Sequence, residues 1–382
     1  MAPLLDVPPG LEGVVAAETA VGDVLGDAGV FHYRGHSAPG LARTASFEAV
    51  WHLLHHGTRP DPETLRRFRA DTAALRVLPP GLAEALPLIA RSGPPMAALR
   101  TALSLAGQDA RPWLDLAPEA RAAQALRLVA LTPVLAAAIW RARDGQPPVP
   151  PDPALGVAAD FVRMATGATP DERAARAVEQ YLILTVDHGF NASTFTARVV
   201  ASTGADLTAA AVAGIAALSG PLHGGAPSLV VDMLRDIGTR DRVRPWLEAH
   251  LAAGRRVMGF GHRVYRTEDP RSAVLKATAR AIGGPLVELA VDVEQVALEI
   301  LDSRYPERRL RTNVEFYAGV VLHLVGLPPA LFPATFAVSR MTGWMAHVLE
   351  QAAANRLIRP SARYVGPPWD RQDGSRDEGR DG

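Results

Sequence analysis

Three histidines stand where helical patterns break: His188 in Asp187-His188-Gly189, His223 in PLHGGAP and His262 in GFGHRVY. Loop ends beside glycine are places where a ligand can meet backbone closely. A single histidine in a turn more often just hydrogen-bonds a nearby peptide group. Three in similar settings bring the ligand reading level with that dull one. Glu315 is the carboxylate of interest, in the first turn of a helix that Asn313 should cap, between Val314 and Phe316. It is either a helix N-terminal acid stabilised by the dipole, worth about 0.3–1 kcal/mol, or a ligand-facing group. The sequence leaves both open. Arg271, Arg340 and Arg359 are candidates for binding a carboxylate, because a guanidinium offers paired donors in a fixed fork.

These residues gather most densely in Val257 to Arg271, VMGFGHRVYRTEDPR. The first part is too rich in glycine for a helix. Asp269-Pro270 then reads as a cap followed by the first helical residue, which puts Arg271 in an opening turn. The stretch offers an imidazole, backbone able to approach a ligand, and several guanidinium groups. An anionic substrate needs such a set.

Several chemistries are excluded or disfavoured. The 382 residues contain no cysteine, so disulfides, thiolate nucleophiles and cysteine-based zinc sites are out. No two of the three histidines have metal-ligand spacing, and no metal is expected. His55 and His56 are adjacent on a helix, point apart and read as structural. Lys276 is the sole lysine, and nothing around it recommends Schiff-base chemistry. Gly259-Phe260-Gly261 lacks the third glycine and the preceding strand of a dinucleotide fingerprint. Basic and acidic residues balance at 40 each, which gives no general attraction to nucleic acid or anionic membrane. The opening residues show no secretory pattern. The longest apolar stretch, Leu126 to Ile139, is interrupted by Arg127 and Pro133 and is too short for a bilayer. A cytoplasmic protein is the default expectation.

The elements that must position these groups are almost all helical. A small β-hairpin is expected within residues 11–35. Helices follow from Ser46, with Gly57 as a stop, and from Asp61-Pro62-Glu63. Ala-, Leu- and Arg-rich helical patterns run to about Arg143, and QPPVPPDP (146–153) is a connector. Thr169-Pro170-Asp171-Glu172 reads as a capping box with proline at the first helical position. Further helices are expected at about 193–202, from Asp206 to Leu218, from Pro227, over 242–253, 270–282, 285–303, from Asn313, and over 333–355. The tail from Trp369 is polar and expected to be disordered. The coarse result is a mostly α protein.

GFGHRVYRTEDPR (259–271) resembles the signature of the citrate synthase family. GLEGVVAAET (10–19), YRGHS (33–37), FEAVWHLLHHG (47–57), DHGFNASTFTARVVAST (187–203), GPLHGGA (220–226), NVEFYAG (313–319), FAVSR (336–340) and IRPSARYVG (358–366) resemble the family's other blocks, in the family's order. The resemblance implies a mostly α, two-domain homodimer with its active site in the cleft. The large domain would comprise 1–222 and 320–368, the small domain 223–319, and 369–382 the tail.

The implied reaction is condensation of acetyl-CoA with oxaloacetate and water to citrate and CoA, with no metal or redox cofactor. By resemblance, His223 would hydrogen-bond the thioester carbonyl as it becomes an enol. Glu315 would remove the methyl proton, and His262 would polarise the oxaloacetate ketone. His188, Arg271, Arg340 and Arg359 would hold the oxaloacetate carboxylates, Arg359 from the second subunit. Arg256, Val257, Gly259, Gly261, Arg263 and Arg266 would lie along CoA. Two positions depart from the family pattern: Glu315 replaces the usual Asp, and Pro227 the usual Asn after HGGA. A 2-methylcitrate synthase using propionyl-CoA shares these motifs. A weakly active or non-catalytic metabolite-binding paralogue is the alternative of another class.

Overall fold

A computed structural model of the chain describes residues 5–223, 227–261, 265 and 267–367. His262, Arg263, Arg266 and the tail from Trp369 lie outside the described residues. Near the N-terminus a three-stranded antiparallel sheet forms from β1 (Gly22–Leu25), β2 (Val30–Tyr33) and β3 (His36–Ser37). Gly22 pairs with Tyr33 and Leu25 with Val30 in the hairpin, and Tyr33 with His36 in the second pairing.

The remainder is helical. The first five helices are α1 (Ala38–Thr44), α2 (Phe47–His56), α3 (Pro62–Ala74), α4 (Pro80–Arg91) and α5 (Pro95–Ala106). Then come α6 (Pro118–Arg143), α7 (Val157–Thr166), α8 (Glu172–Thr185), α9 (Ala192–Ser202), α10 (Leu207–Leu218) and α11 (Pro227–Ile237). The last five are α12 (Val243–Ala252), α13 (Pro270–Ile282), α14 (Pro285–Arg304), α15 (Val314–Leu324) and α16 (Phe332–Ala353).

Most boundaries carry the expected signals. Ser46, Asp61, Asp206 and Asn313 each accept a backbone N–H as N-caps, and Gly57 ends α2 in the left-handed conformation. Two local readings change. Asp171, not Thr169, caps α8, accepting from the Ala174 N–H, so Pro170 lies before the helix. And the apolar stretch 126–139, read as too short for a bilayer, lies within α6, a 26-residue helix that runs through Pro133 and ends at Arg143 as the helical pattern does. Pro133 is tolerated because neighbouring helices hold the segment. In length and composition α6 could cross a bilayer, but 72% of its most apolar window is buried in this fold. It packs on α16, α7, α4 and α5 as a core helix.

The other central helix is α16, with buried residues on nearly every side. It packs on α6, α9, α10, α8 and α2. Two glycines set how near its neighbours come. A Cβ at Gly214 in α10 would meet the Trp344 ring at 2.9 Å. A Cβ at Gly343 would sit 2.1 Å from the Val186 carbonyl oxygen. That contact is with backbone and cannot be relieved by a rotamer change. Gly343→Ala is therefore expected to push α16 from the 186–189 loop and destabilise the fold by about 1–3 kcal/mol, read by denaturant unfolding. Wild-type stability in that variant would disprove the close approach.

Candidate active site

The loop after α12 is fixed to the start of α15 by a short run of antiparallel pairing. Gly259 O accepts from Asn313 N at 2.9 Å, and Gly261 N donates to Arg311 O at 2.8 Å. Asn313 Nδ2 donates to Gly261 O at 2.9 Å, and Phe260 bridges Thr312. Gly259 has φ +83° and would place a Cβ 2.6 Å from that of Phe316, so glycine alone suits the position. This pairing brings the backbone next to His262 against the cap of the helix carrying Glu315.

Glu315 lies in the first turn of α15, its N–H donating to Asn313 Oδ1 at 3.0 Å. Its side-chain carboxyl makes no hydrogen bond among the described residues. Burial pushes its pKa up to about 7. The Arg271 cation opposes that rise, and the Asp269 anion adds to it. A carboxyl titrating near neutrality is suited to taking a proton at working pH.

Arg271, in the first turn of α13, is buried beside it. Its Nε and Nη2 donate to Asp269 at 2.9 and 2.8 Å. Burial works against its charge, but Asp269 holds its pKa above the ordinary value. Arg340, on α16, is 2% exposed. It donates from Nε to Thr185 O at 2.8 Å and lies 4.7 Å above the Phe336 ring. Its two terminal nitrogens make no hydrogen bond among the described residues. Burial pulls its pKa down to about 10, while Asp187 and Tyr33 favour its charge and Arg271 disfavours it. It therefore stays cationic at neutral pH.

His223 stands at the end of the turn after α10. Its Nε2 is 2.8 Å from Ser193 Oγ and receives the Ser193 backbone N–H at 3.3 Å. With Nε2 accepting, the ring proton is assigned to Nδ1. Burial, with the Arg340 charge adding to it, lowers the His223 pKa to about 4, so the ring is neutral at pH 7. Trp344 Nε1 donates to the same serine oxygen at 3.2 Å. His188 Nε2 is 2.9 Å from Tyr265 Oη, with Phe31 edge-on to its ring.

Arg340 is the common neighbour. Its charge acts on both His223 and Arg271, and that of Arg271 in turn acts on Glu315. Tyr181 on α8 lies within the field of Arg340, Glu315 and Arg271 alike. Residues distant along the chain thus share one electrostatic neighbourhood. Arg359 does not join it. It is exposed in the segment after α16 and makes no hydrogen bond or ion pair among the described residues. Arg256 is exposed, its carbonyl accepting from His250, and Val257 is buried. A separate cavity of about 520 Å³ lies between α3, α7 and α8, lined by Glu48, Arg69, Arg76 and Glu179, and none of the site residues reaches it.

Sequence reasoning missed Ser193, Tyr265 and the second role of Asp269. Spacing gives no hint of Ser193, which meets His223 across 30 residues. Asp269 was legible only as a helix cap. The Pro227 departure is structurally quiet, since it opens α11 at a position that suits proline.

The chain matches the profile described as citrate synthase, C-terminal domain, over residues 10–361. It is 42% identical over 364 residues to a citrate synthase of Haloferax volcanii, covering 94% of this chain and 95% of that protein. It is 38% identical over 362 residues to a 2-methylcitrate synthase of Mycobacterium tuberculosis, covering 94% and 91%. A Thermoplasma acidophilum citrate synthase, solved as a ternary complex with carboxymethyl coenzyme A and oxaloacetate, superposes with TM-score 0.87 at 28% identity, covering 96% and 97%. Fold and likeness together define a mostly helical condensing transferase. The chain belongs to the citrate synthase family.

Proposed function

We propose that the chain condenses acetyl-CoA with oxaloacetate and water to give citrate and CoA. The observation that carries this reading is the Glu315 carboxyl, without a hydrogen-bond partner among the described residues, pushed up to about 7 by burial and set in the field of a buried arginine. A thioester methyl proton is very weakly acidic, and its removal needs a fixed base and a donor on the developing enolate oxygen. Glu315 takes the proton. Neutral His223, with its proton on Nδ1, donates to the thioester oxygen. The new carbon nucleophile attacks the ketone of oxaloacetate, and His262 supplies the proton that the resulting alkoxide needs. Water then cleaves the thioester, releasing CoA. Arg271, Arg340 and His188 hold oxaloacetate, with Arg359 reaching in from a second subunit of a homodimer. The segment containing Arg256, Val257, Gly259, Gly261, Arg263 and Arg266 lies along CoA.

In this reading residues 1–222 and 320–368 form a large domain, and 223–319 a small domain that closes on the substrates. The enzyme acts in the cytoplasm on the tricarboxylic acid cycle and needs no cofactor beyond its substrates. Propionyl-CoA is the competing thioester, favoured by the likeness to a 2-methylcitrate synthase. One methylene is worth only about 1–3 kcal/mol of discrimination, so comparing kcat/KM for the two thioesters decides between them. Thiol release from acetyl-CoA and oxaloacetate tests the reading as a whole. Glu315→Ala should lower it by roughly 10²–10⁴-fold, and equal release by both proteins would count against it.

A further inference from the structure

We propose that Asp269 is a positioning residue that locks the oxaloacetate-binding arginine and the proton-abstracting helix into one fixed relation, an inference that rests on the roles just given to Arg271 and Glu315. Its carboxylate is 1% exposed and serves two helices at once. Oδ1 accepts from the Arg271 backbone N–H at 3.0 Å, which caps α13, and from Arg271 Nε at 2.9 Å. Oδ2 accepts from Arg271 Nη2 at 2.8 Å and from the backbone N–H of Val314 at 3.0 Å. Val314 is the first residue of α15, immediately before Glu315.

Capping α13 alone would need no such residue, because serine or asparagine caps a helix as well. Only a carboxylate can also receive a guanidinium through two parallel bonds, which fixes its plane. The Val314 N–H is one of the orphan donors at a helix start. By accepting it, Asp269 sets where the first turn of α15 stands relative to Arg271. The base and the clamp thereby share one anchor.

The charges agree with this. Glu315 faces Arg271 and Asp269 from α13 and its cap, and Tyr181 from α8. The Glu294–Lys276 pair, from α14 and α13, sits at Tyr317 two residues further along α15. Arg271 by itself would favour the carboxylate form of Glu315 and weaken it as a base. Asp269 offsets that pull.

Three variants separate positioning from mere capping. Asp269→Asn removes the charge and the two-point grip. It should weaken oxaloacetate binding, measured by calorimetry, about tenfold or more, and move the acid limb of the kcat profile to lower pH. Asp269→Glu, which keeps the charge, should bring the limb back toward wild type. Val314→Pro removes the N–H that Oδ2 accepts and leaves the Asp269 carboxylate and its grip on Arg271 in place. Proline suits this first helical position, and Asn313 is already extended at ψ 174°. It should leave oxaloacetate affinity within about twofold while lowering kcat roughly tenfold or more, as a displaced base predicts.

If Asp269→Asn lowers only the melting temperature, with affinity and acid limb unmoved, Asp269 is a helix cap and the inference fails. Should that variant not fold, wild-type kcat in Val314→Pro overturns it. The calorimetric arm does not depend on turnover, so an inactive wild-type protein would refute the proposed reaction while Asp269 was still tested.

Discussion

Glu315→Gln is expected to silence the enzyme and strengthen the fold at alkaline pH. Both effects come from one cause, a carboxyl held where its charge is poorly solvated. Its pKa rises from 4.5 to about 7 on folding, with burial the largest contribution. A group raised in this way favours the native state fully below its unfolded value, and that benefit disappears as pH climbs through the folded value. At pH 8 the wild-type protein must therefore carry a half-buried, poorly solvated negative charge that glutamine avoids. The gain in unfolding free energy at pH 8 is about 1–3 kcal/mol, and it vanishes below about pH 4.5. Urea titrations of both proteins at the two pH values measure it. Equal stability at pH 8 would mean that the carboxyl is not strained by its surroundings.

Arg340→Met is expected to separate binding from stability in the same direction. The guanidinium is buried on α16, spends one nitrogen on Thr185 O, and leaves its terminal nitrogens without a hydrogen-bonding acceptor among the described residues. A substrate carboxylate would complete it. Losing a two-point, charge-assisted contact should raise the oxaloacetate dissociation constant by roughly 10²-fold. Stability should stay within about 1 kcal/mol of wild type or rise, since methionine fills similar volume without a desolvated charge. Arg340→Lys should not rescue binding, because an ammonium cannot reproduce the fork. Calorimetry with oxaloacetate, paired with thermal unfolding, reads both quantities. Unchanged affinity in the methionine variant would remove Arg340 from the substrate site.

Much of this architecture was legible before any coordinates. Caps and stops were readable because each satisfies a local donor: Ser46, Asp61, Asp206 and Asn313 sit within three residues of the N–H they receive. The glycines beside His188 and His223 were legible as breaks between helices. What sequence could not supply was anything requiring two distant segments. Ser193 beneath His223, Tyr265 against His188 and Asp269 under α15 are contacts made by packing, and no spacing rule encodes them. The Thr169 cap failed for a related reason. Thr169 and Asp171 are both good caps, and the helix begins at Glu172, where Asp171 receives the Ala174 N–H. The change to Glu315 was visible as a residue. Its effect on proton affinity required knowing what buries it.

Hydrogen exchange into the acetyl-CoA methyl group, followed by NMR in D₂O with oxaloacetate or a non-condensing analogue bound, tests the central claim most directly. That claim is that Glu315 is the base acting on a carbon acid. The exchange rate in the wild-type protein should climb as pH passes through about 7, following the Glu315 carboxyl, and be lost in Glu315→Gln. Exchange that persists in the glutamine variant, or that ignores pH across this range, would contradict it.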